Sequence, residues 1–228
     1  MTTRDQFIGT ISSALGRSKL PTSPGTLALR HSVHRDVMKD YGPDELLRTF
    51  VENSRSTGTE VLETTHDKLI DTIRLAMEQC KPGAIVAADD PWLRENCTAI
   101  ASQTKRSVRL WNTEDSSEDN IRCAQRAAVG IAFARLALAE SGTVLFFSQE
   151  GCGRSVTLLP ESNVYVIPKS AIRPRLTQGM AFVREHKDCL PASVNFVSGP
   201  SATSDIELVR VVGVHGPIQV IHVIVHDT

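Results

Sequence analysis

Near the C-terminus, Gly199-Pro-Ser-Ala-Thr-Ser-Asp-Ile-Glu207 is followed closely by Gly213-Val-His-Gly-Pro217. Ser201 and Thr203 bring hydroxyls, and Asp205 and His215 bring groups that can move a proton or orient one another. Gly199, Gly213 and Gly216 permit close approach of backbone to a ligand. A second run, Glu140-Ser-Gly-Thr143, sets a carboxylate before a hydroxyl-bearing turn. A carboxylate there can attack an acyl group if it is desolvated and positioned. Arg154 closes a glycine-rich loop and suits contact with a carboxylate or phosphate. The candidates for chemistry are therefore Glu140, Asp205 and His215. Those for ligand binding are Ser141, Gly142, Thr143, Arg154, Gly199, Ser201, Thr203, Gly213 and Gly216, and none is assigned to a metal.

Plainer roles compete for several of these residues. Ser204 and Glu207 have the spacing of a capping box and can simply begin a helix. Ser201, Thr203 and Asp205 would then lie at its start, where hydroxyls and amides can face an anion. An acid at Asp205 favours the helix dipole but opposes an anion, so the two roles conflict. Glu140 can be a solvated charge, and His215 can pack in its turn. His222 and His226 share one strand face and read as half-buried or edge residues rather than a metal pair. His31 and His34 could share a helix face, but a metal needs a third ligand that nothing nearby supplies. Cys152 has no activating base in view and reads as incidental.

The elements that must position these groups alternate along the chain. Residues 3–17 carry Phe7, Ile8, Ile11, Ala14 and Leu15 at helical spacing, a docking helix stopped by Gly16. Residues 18–42 hold Pro21, Pro24, Gly25 and Gly42 without periodicity and read as a linker. The chain thus divides into an N-terminal helix and linker, 1–40, and a main domain, 41–228. In the latter, helices are expected over 43–56, 67–80, 91–102, 118–127 and 173–186, the last with Leu176, Met180 and Val183 on one face. Strands are expected over 60–63, 84–88, 107–111, 144–147, 164–167, 192–198 and 218–225, with one or two more within 129–139. This order predicts an α/β layered fold with a mainly parallel sheet. Ligands in such sheets bind beyond the carboxyl ends of the strands, and the polar blocks are expected there.

A chain of 228 residues, 41% hydrophobic, can bury one substantial core. A formal charge of −1 argues against nucleic acid and anionic membrane as partners, since both call for clustered Lys and Arg. No run approaches the ~20 apolar residues of a membrane helix, and the first residues lack a secretory core, so a cytoplasmic protein is expected. The five cysteines are spread singly without Cys-x-x-Cys spacing, which fits reduced thiols and no metal cluster built from this chain. No Gly-x-Gly-x-x-G turn is present either.

The C-terminal cluster resembles the signature of the LUD-domain family, in its lactate-utilization protein C group. Ala139-Glu-Ser-Gly-Thr-Val-Leu145 resembles that family's Ala-Glu-Thr-Gly-Thr strand entry, with Ser141 in place of Thr. Arg154 and Leu158-Leu-Pro160 resemble its Arg and Leu-Leu-Pro segment, so four blocks occur in the family order between residue 41 and the end. The resemblance implies the Rossmann-like fold shared by ribose-phosphate isomerases, glucosamine-phosphate deaminases and CoA transferases. It also implies a part in oxidising L-lactate to pyruvate, with iron-sulfur clusters on partner subunits and no cofactor in this chain. On that reading the chain is a non-redox accessory subunit binding a small carboxylate or anionic ligand, and homo-oligomers remain open. The alternatives are a stand-alone acyl-CoA transferase or phosphosugar isomerase-like enzyme using Glu140, Asp205 and His215 near Arg154, or an interaction scaffold docking through its N-terminal helix.

Overall fold

The computed structural model describes residues 3–17, 30–149, 151–205 and 207–227. Part of the expected linker, residues 18–29, lies outside them. The contacts divide the chain into two compact units, Met1–Val33 and His34–Thr228. The first holds α1 (Arg4–Ala14), whose start is fixed by a capping box: Thr3 Oγ1 accepts from the Gln6 amide while Gln6 Oε1 accepts from the Thr3 amide. Phe7, Ile11 and Leu15 stand exposed on it. After α2 (Val33–Asp36), the second unit runs α3 (Pro43–Ser56), β1 (Glu60–Thr65), α4 (Leu69–Gln79), β2 (Ile85–Ala87), α5 (Pro91–Thr104), β3 (Val108–Leu110), α6 (Ser117–Arg126) and β4 (Val129–Phe133). There follow β5 (Leu136–Leu138), β6 (Thr143–Phe147), α7 (Ser155–Leu158), β7 (Ser162–Pro168), β8 (Ile172–Arg173) and α8 (Leu176–Glu185). The chain ends with β9 (Val194–Val197), β10 (Ala202–Thr203), β11 (Val211–Val212) and β12 (Gln219–His226).

As the alternation predicts, the architecture is α/β. Six strands pair in the order β1-β12-β7-β4-β2-β3, every pairing parallel. The inner strands β7 and β12 are Val- and Ile-rich and buried on both faces, which such a sheet demands, whereas the edge strands β1 and β3 are partly exposed. After β2 the chain moves outward to β3, then returns to β4 on the other side of β2. That reversal opens a crevice beyond the carboxyl ends of β2 and β4.

A second sheet, β8-β5-β6-β9, has β6 antiparallel to both its neighbours. The apolar run 129–139 thus divides between two sheets, β4 going to one and β5 to the other. The expected strand 192–198 also belongs to the second sheet, whereas β12 lies inside the first. Side-chain alternation in β5 and β6 joins the layers. Ala137, Val144 and Phe146 face the main core, while Leu136, Leu138, Leu145 and Phe147 form a smaller cluster with Phe182 and Val183 of α8. Leu176 and Met180, expected on the apolar face of α8, are instead exposed, and Gly179 makes the close approach to Leu138 and Phe196. On the opposite face of the parallel sheet, α4 packs over β1 and β12 and against α5.

The C-terminal segment corrects one expectation. Among the described residues no helix follows Ser204: Ala202–Thr203 pair with Val211–Val212 as an antiparallel hairpin, and Glu207 and Leu208 both take positive φ, 54° and 59°. Val209, Val211 and Val212 after the apparent capping box are β-branched and Gly213 follows them, which disfavours a helix and suits the strand pairing seen, so the cap has no helix to begin. Among the described residues no helix N-terminus is available there to hold an anion.

Candidate functional site

The C-terminal block gathers at the amino ends of the parallel strands, not the carboxyl ends where it was expected, whereas the glycine-rich loop before Arg154 does lie by the carboxyl ends of β2 and β3, the Gly151 carbonyl accepting from the Asp89 amide and Gly153 lying against Trp111. Gly199, at φ +68°, lies so close to Thr57 and Thr59, just before β1, that an added Cβ would sit 2.7 and 2.9 Å from their hydroxyl oxygens. Pro217 and Leu158 immediately precede β12 and β7. The reason is connectivity: the block 199–217 feeds into the start of β12, so it must sit where a parallel strand begins.

His215 is the residue around which this end is organised. It is exposed and contributes to the walls of two adjoining hollows, with Leu158 between them. The first, about 480 Å³, is formed by Trp111, Ile121, Arg154, Leu158 and Leu159. The second, about 530 Å³, takes Gly199, Ser201 and Gly216 from the sequence candidates and adds Arg210, Thr57 and Ser198. Arg210 is fastened by a 3.0 Å bond from its guanidinium to the Thr57 carbonyl. The hairpin itself is tied down by Ser201, whose amide donates to Pro217 and whose carbonyl accepts from Gly213. Arg154 is aimed by the short α7, which Asn163 and Tyr165 hold on the sheet by both donating to the Thr157 carbonyl at 3.0 Å.

The three residues nominated for chemistry do not converge. Glu140 caps the β5–β6 turn, where its carboxylate pairs with Arg175 at 2.7 Å, and it faces neither hollow of His215. Asp205 is exposed in the hairpin and its amide donates to Thr203 Oγ1 at 3.3 Å. Among the described residues neither acid is hydrogen-bonded to His215. Thr203 and Gly213 shape the hairpin, Gly213 adopting φ +82° against Ile218. The Ser141-Gly142-Thr143 turn is structural at its centre: Gly142, at φ +60°, lies on the backbone of Ser54, where a Cβ would meet atoms 2.6 Å away. Its hydroxyls are linked to the second hollow only through Ser198, since Thr143 Oγ1 lies 2.6 Å from both Ser141 Oγ and Ser198 Oγ.

Of the two C-terminal histidines expected to be half-buried or edge residues, His226 is half-buried and His222 is not. His222 is fully buried, stacked on Phe50 with ring centroids 5.3 Å apart, its Nδ1 3.2 Å from Ser54 Oγ. Burial drives its pKa down to about 3, so the ring is neutral at physiological pH. His226, at the strand end, is 2.9 Å from Glu63. Among the described residues no group of three His, Cys, Asp or Glu side chains is arranged to hold a metal ion. Cys152 is buried and desolvation pushes its thiol up to about 11, which keeps it protonated.

Sequence reasoning missed a cleft at the other end of the sheet, in the crevice between β2 and β4. Asp90, Arg135, Gln149, Ser170 and Asp227 give it polar walls, and Cys152 lies in its lining. One signal was present. Arg135 is the lone charge in Val129-Gly-Ile-Ala-Phe-Ala-Arg-Leu-Ala-Leu138, an otherwise apolar run.

Comparison with known proteins adds the following. The LUD domain sequence model matches residues 36–225. Lactate utilization protein C of Geobacillus sp. (strain WCH70) is 34% identical over 98% of this chain and 96% of its own length. The protein of the same name from Bacillus subtilis (strain 168) is 32% identical, again over 98% of this chain and 96% of its own. Lactate utilization protein C 1 of Bacillus mycoides (strain KBAB4) is 37% identical over 98% and 97%. The crystal structure of a DUF162 family protein from Deinococcus radiodurans superposes with a TM-score of 0.59 at 19% identity, covering 81% of this chain and 99% of that one, a likeness of fold.

Proposed function

Because this chain belongs to the LUD domain family, we propose that it serves the utilisation of L-lactate as a cytoplasmic subunit with no redox centre of its own. It binds a small carboxylate or other small anion, while iron-sulfur clusters on partner proteins carry the two electrons released as lactate becomes pyruvate. Its full-length relatives bear the name lactate utilization protein C. The cysteines, spaced singly along the chain, and the protonated, buried thiol of Cys152 are in keeping with that division of labour.

The observation that carries the ligand assignment is the position of His215 between two hollows, with Arg154 in one and Ser201 and Arg210 in the other. Arg154 offers a planar pair of donors that matches a carboxylate, and His215 offers a donor that strengthens on protonation. Glu140, already paired with Arg175, has no part in this reading.

The test is genetic and biochemical together. A strain lacking this gene is expected to grow poorly on L-lactate and normally on pyruvate. The wild-type gene restores growth; Arg154→Gln and His215→Ala, both at exposed positions, restore less than a tenth of the rate while their products melt at the wild-type temperature. Anaerobic affinity purification from lactate-grown cells brings down brown iron-sulfur proteins that reduce a dye with lactate. Unimpaired growth of the deletion strain overturns the role, and full rescue by both variants overturns the ligand site.

A further inference from the structure

The cleft beyond the carboxyl ends of β2 and β4 stands apart from the hollows of His215 and has its own chemistry. It measures about 390 Å³. Arg135 is exposed at it, its guanidinium carbon 5.9 Å from the ring centroid of Phe147, and among the described residues no carboxylate pairs with it. Both acids of the cleft are held by other groups. Asp90 caps α5, accepting from the Trp92 amide at 2.9 Å, and Asp227 accepts from the amide and the hydroxyl of Ser170. Each keeps lone pairs free, so these two carboxylates can accept hydrogen bonds but not donate them. Much of the remaining lining is apolar, with Phe133 at the end of β4, Phe146 and Phe147 in β6 and Phe182 in α8, three elements in all.

Lactate alone is a poor match for this space. Phe146 and Phe147 are already buried by the protein, and the six heavy atoms of lactate fill roughly 100 Å³, the share of three or four waters, which would leave the half-buried Phe133 and Phe182 facing solvent. A ring-sized apolar group fills that volume and removes its own surface and theirs from water. The carboxylate and 2-hydroxyl that lactate also carries still suit the polar side, since the hydroxyl can donate where a 2-oxo group would oppose lone pairs.

We propose that this cleft binds a 2-hydroxy carboxylic acid with an aromatic-sized apolar side chain. Its carboxylate lies on Arg135, its hydroxyl donates to the acidic wall of Asp90 and Asp227, and its side chain packs among the phenylalanines. This assignment stands independently of the small-anion reading for His215, because no side chain of the cleft lines either of those hollows.

Calorimetric titration of the full-length protein at pH 7 tests it, with L-lactate, 3-phenyllactate and phenylpyruvate as probes. The expected result is phenyllactate binding at least tenfold more tightly than L-lactate, and phenylpyruvate more weakly than phenyllactate. Arg135→Gln, at an exposed position, lowers phenyllactate affinity at least tenfold without changing the melting temperature. Phe182→Ala removes the preference over lactate; should it unfold the chain, Arg135→Gln decides alone. Absence of phenyllactate binding, equal affinity for lactate, or unchanged binding by Arg135→Gln overturns the site. Equal affinity for phenylpyruvate overturns the role of the hydroxyl. Loss of binding in Arg154→Gln instead of Arg135→Gln puts the probe in the other site and overturns the assignment to this cleft.

Discussion

His222 carries an imidazole wholly out of water, between Phe50 and Tyr165, with Nε2 lacking a protein partner among the described residues. Its folded pKa is depressed to about 3, against about 6.5 in an unfolded chain. Above pH 6.5 both states are neutral and the group adds no pH dependence. Below it the unfolded state takes up a proton that the folded state refuses, so stability falls by up to about 1.4 kcal/mol per pH unit until the folded pKa is reached. A His222→Gln protein is expected to be less stable than wild type at pH 7, with the gap narrowing by about 2 kcal/mol at pH 5; urea melts at the two pH values measure it, and a constant gap contradicts the assignment. Thr143 makes a second, smaller case. Thr143→Val removes a buried hydroxyl from between Ser141 and Ser198, both of which water can reach, so the expected loss is about 1 kcal/mol in the same assay.

At the scale of elements, α7 shows how a site residue depends on a glycine far from it in sequence. Gly130 of β4 leaves room for this four-residue helix, and an added Cβ would lie 2.2 Å from both the Val156 carbonyl and Asn163 Oδ1. The first is backbone, and the buried Asn163 side chain is pinned by its Nδ2 donating to the Thr157 carbonyl at 3.0 Å. Gly130→Ala should therefore lower stability by roughly 3 kcal/mol or more, and it should weaken anion binding at Arg154, since α7 carries that side chain. Chemical denaturation and ligand titration check the two parts, and a stable variant with normal binding would show α7 to be dispensable. The C-terminal hairpin makes the opposite point: the local signal at Ser204 and Glu207 was sound for a cap, but there was no helix for it to serve.

For the molecule as a whole, the two sheets share one core. Val144 and Phe146 of the second sheet pack with Tyr165, Val164 and Ile221 of the first, Phe146 and Tyr165 having ring centroids 4.7 Å apart. Heating should unfold both sheets in a single transition, with calorimetric and van't Hoff enthalpies equal for the unit His34–Thr228. Two resolved transitions would mean that the sheets are independent. Charge belongs to this scale too. With a formal charge of −1 and a sequence pI near 6.7, the protein carries little net charge at neutral pH, and its solubility should be lowest near that pI.

Much of the layered fold was legible beforehand, because periodicity is local. The alternating helices and strands, the parallel tendency of apolar strands such as Val164–Ile167, and the strand at residues 218–225 all follow from patterns within a few residues. The blocks 139–145, 154–160 and 199–217 likewise identified the LUD domain from their own residues. Which strand lies beside which was not local. The sequence carries no mark that β12 inserts between β1 and β7, and that insertion puts residues 199–217 at the amino ends of the sheet. The separation of Glu140 from His215, the meeting of Arg154 with His215, and the crevice that exposes Arg135 all depend on contacts between residues distant in the chain. Types and spacings along the sequence determined which chemical groups this protein possesses. Only the tertiary structure decided which of them share a space, because that depends on crossover connections and close packing that no local pattern encodes.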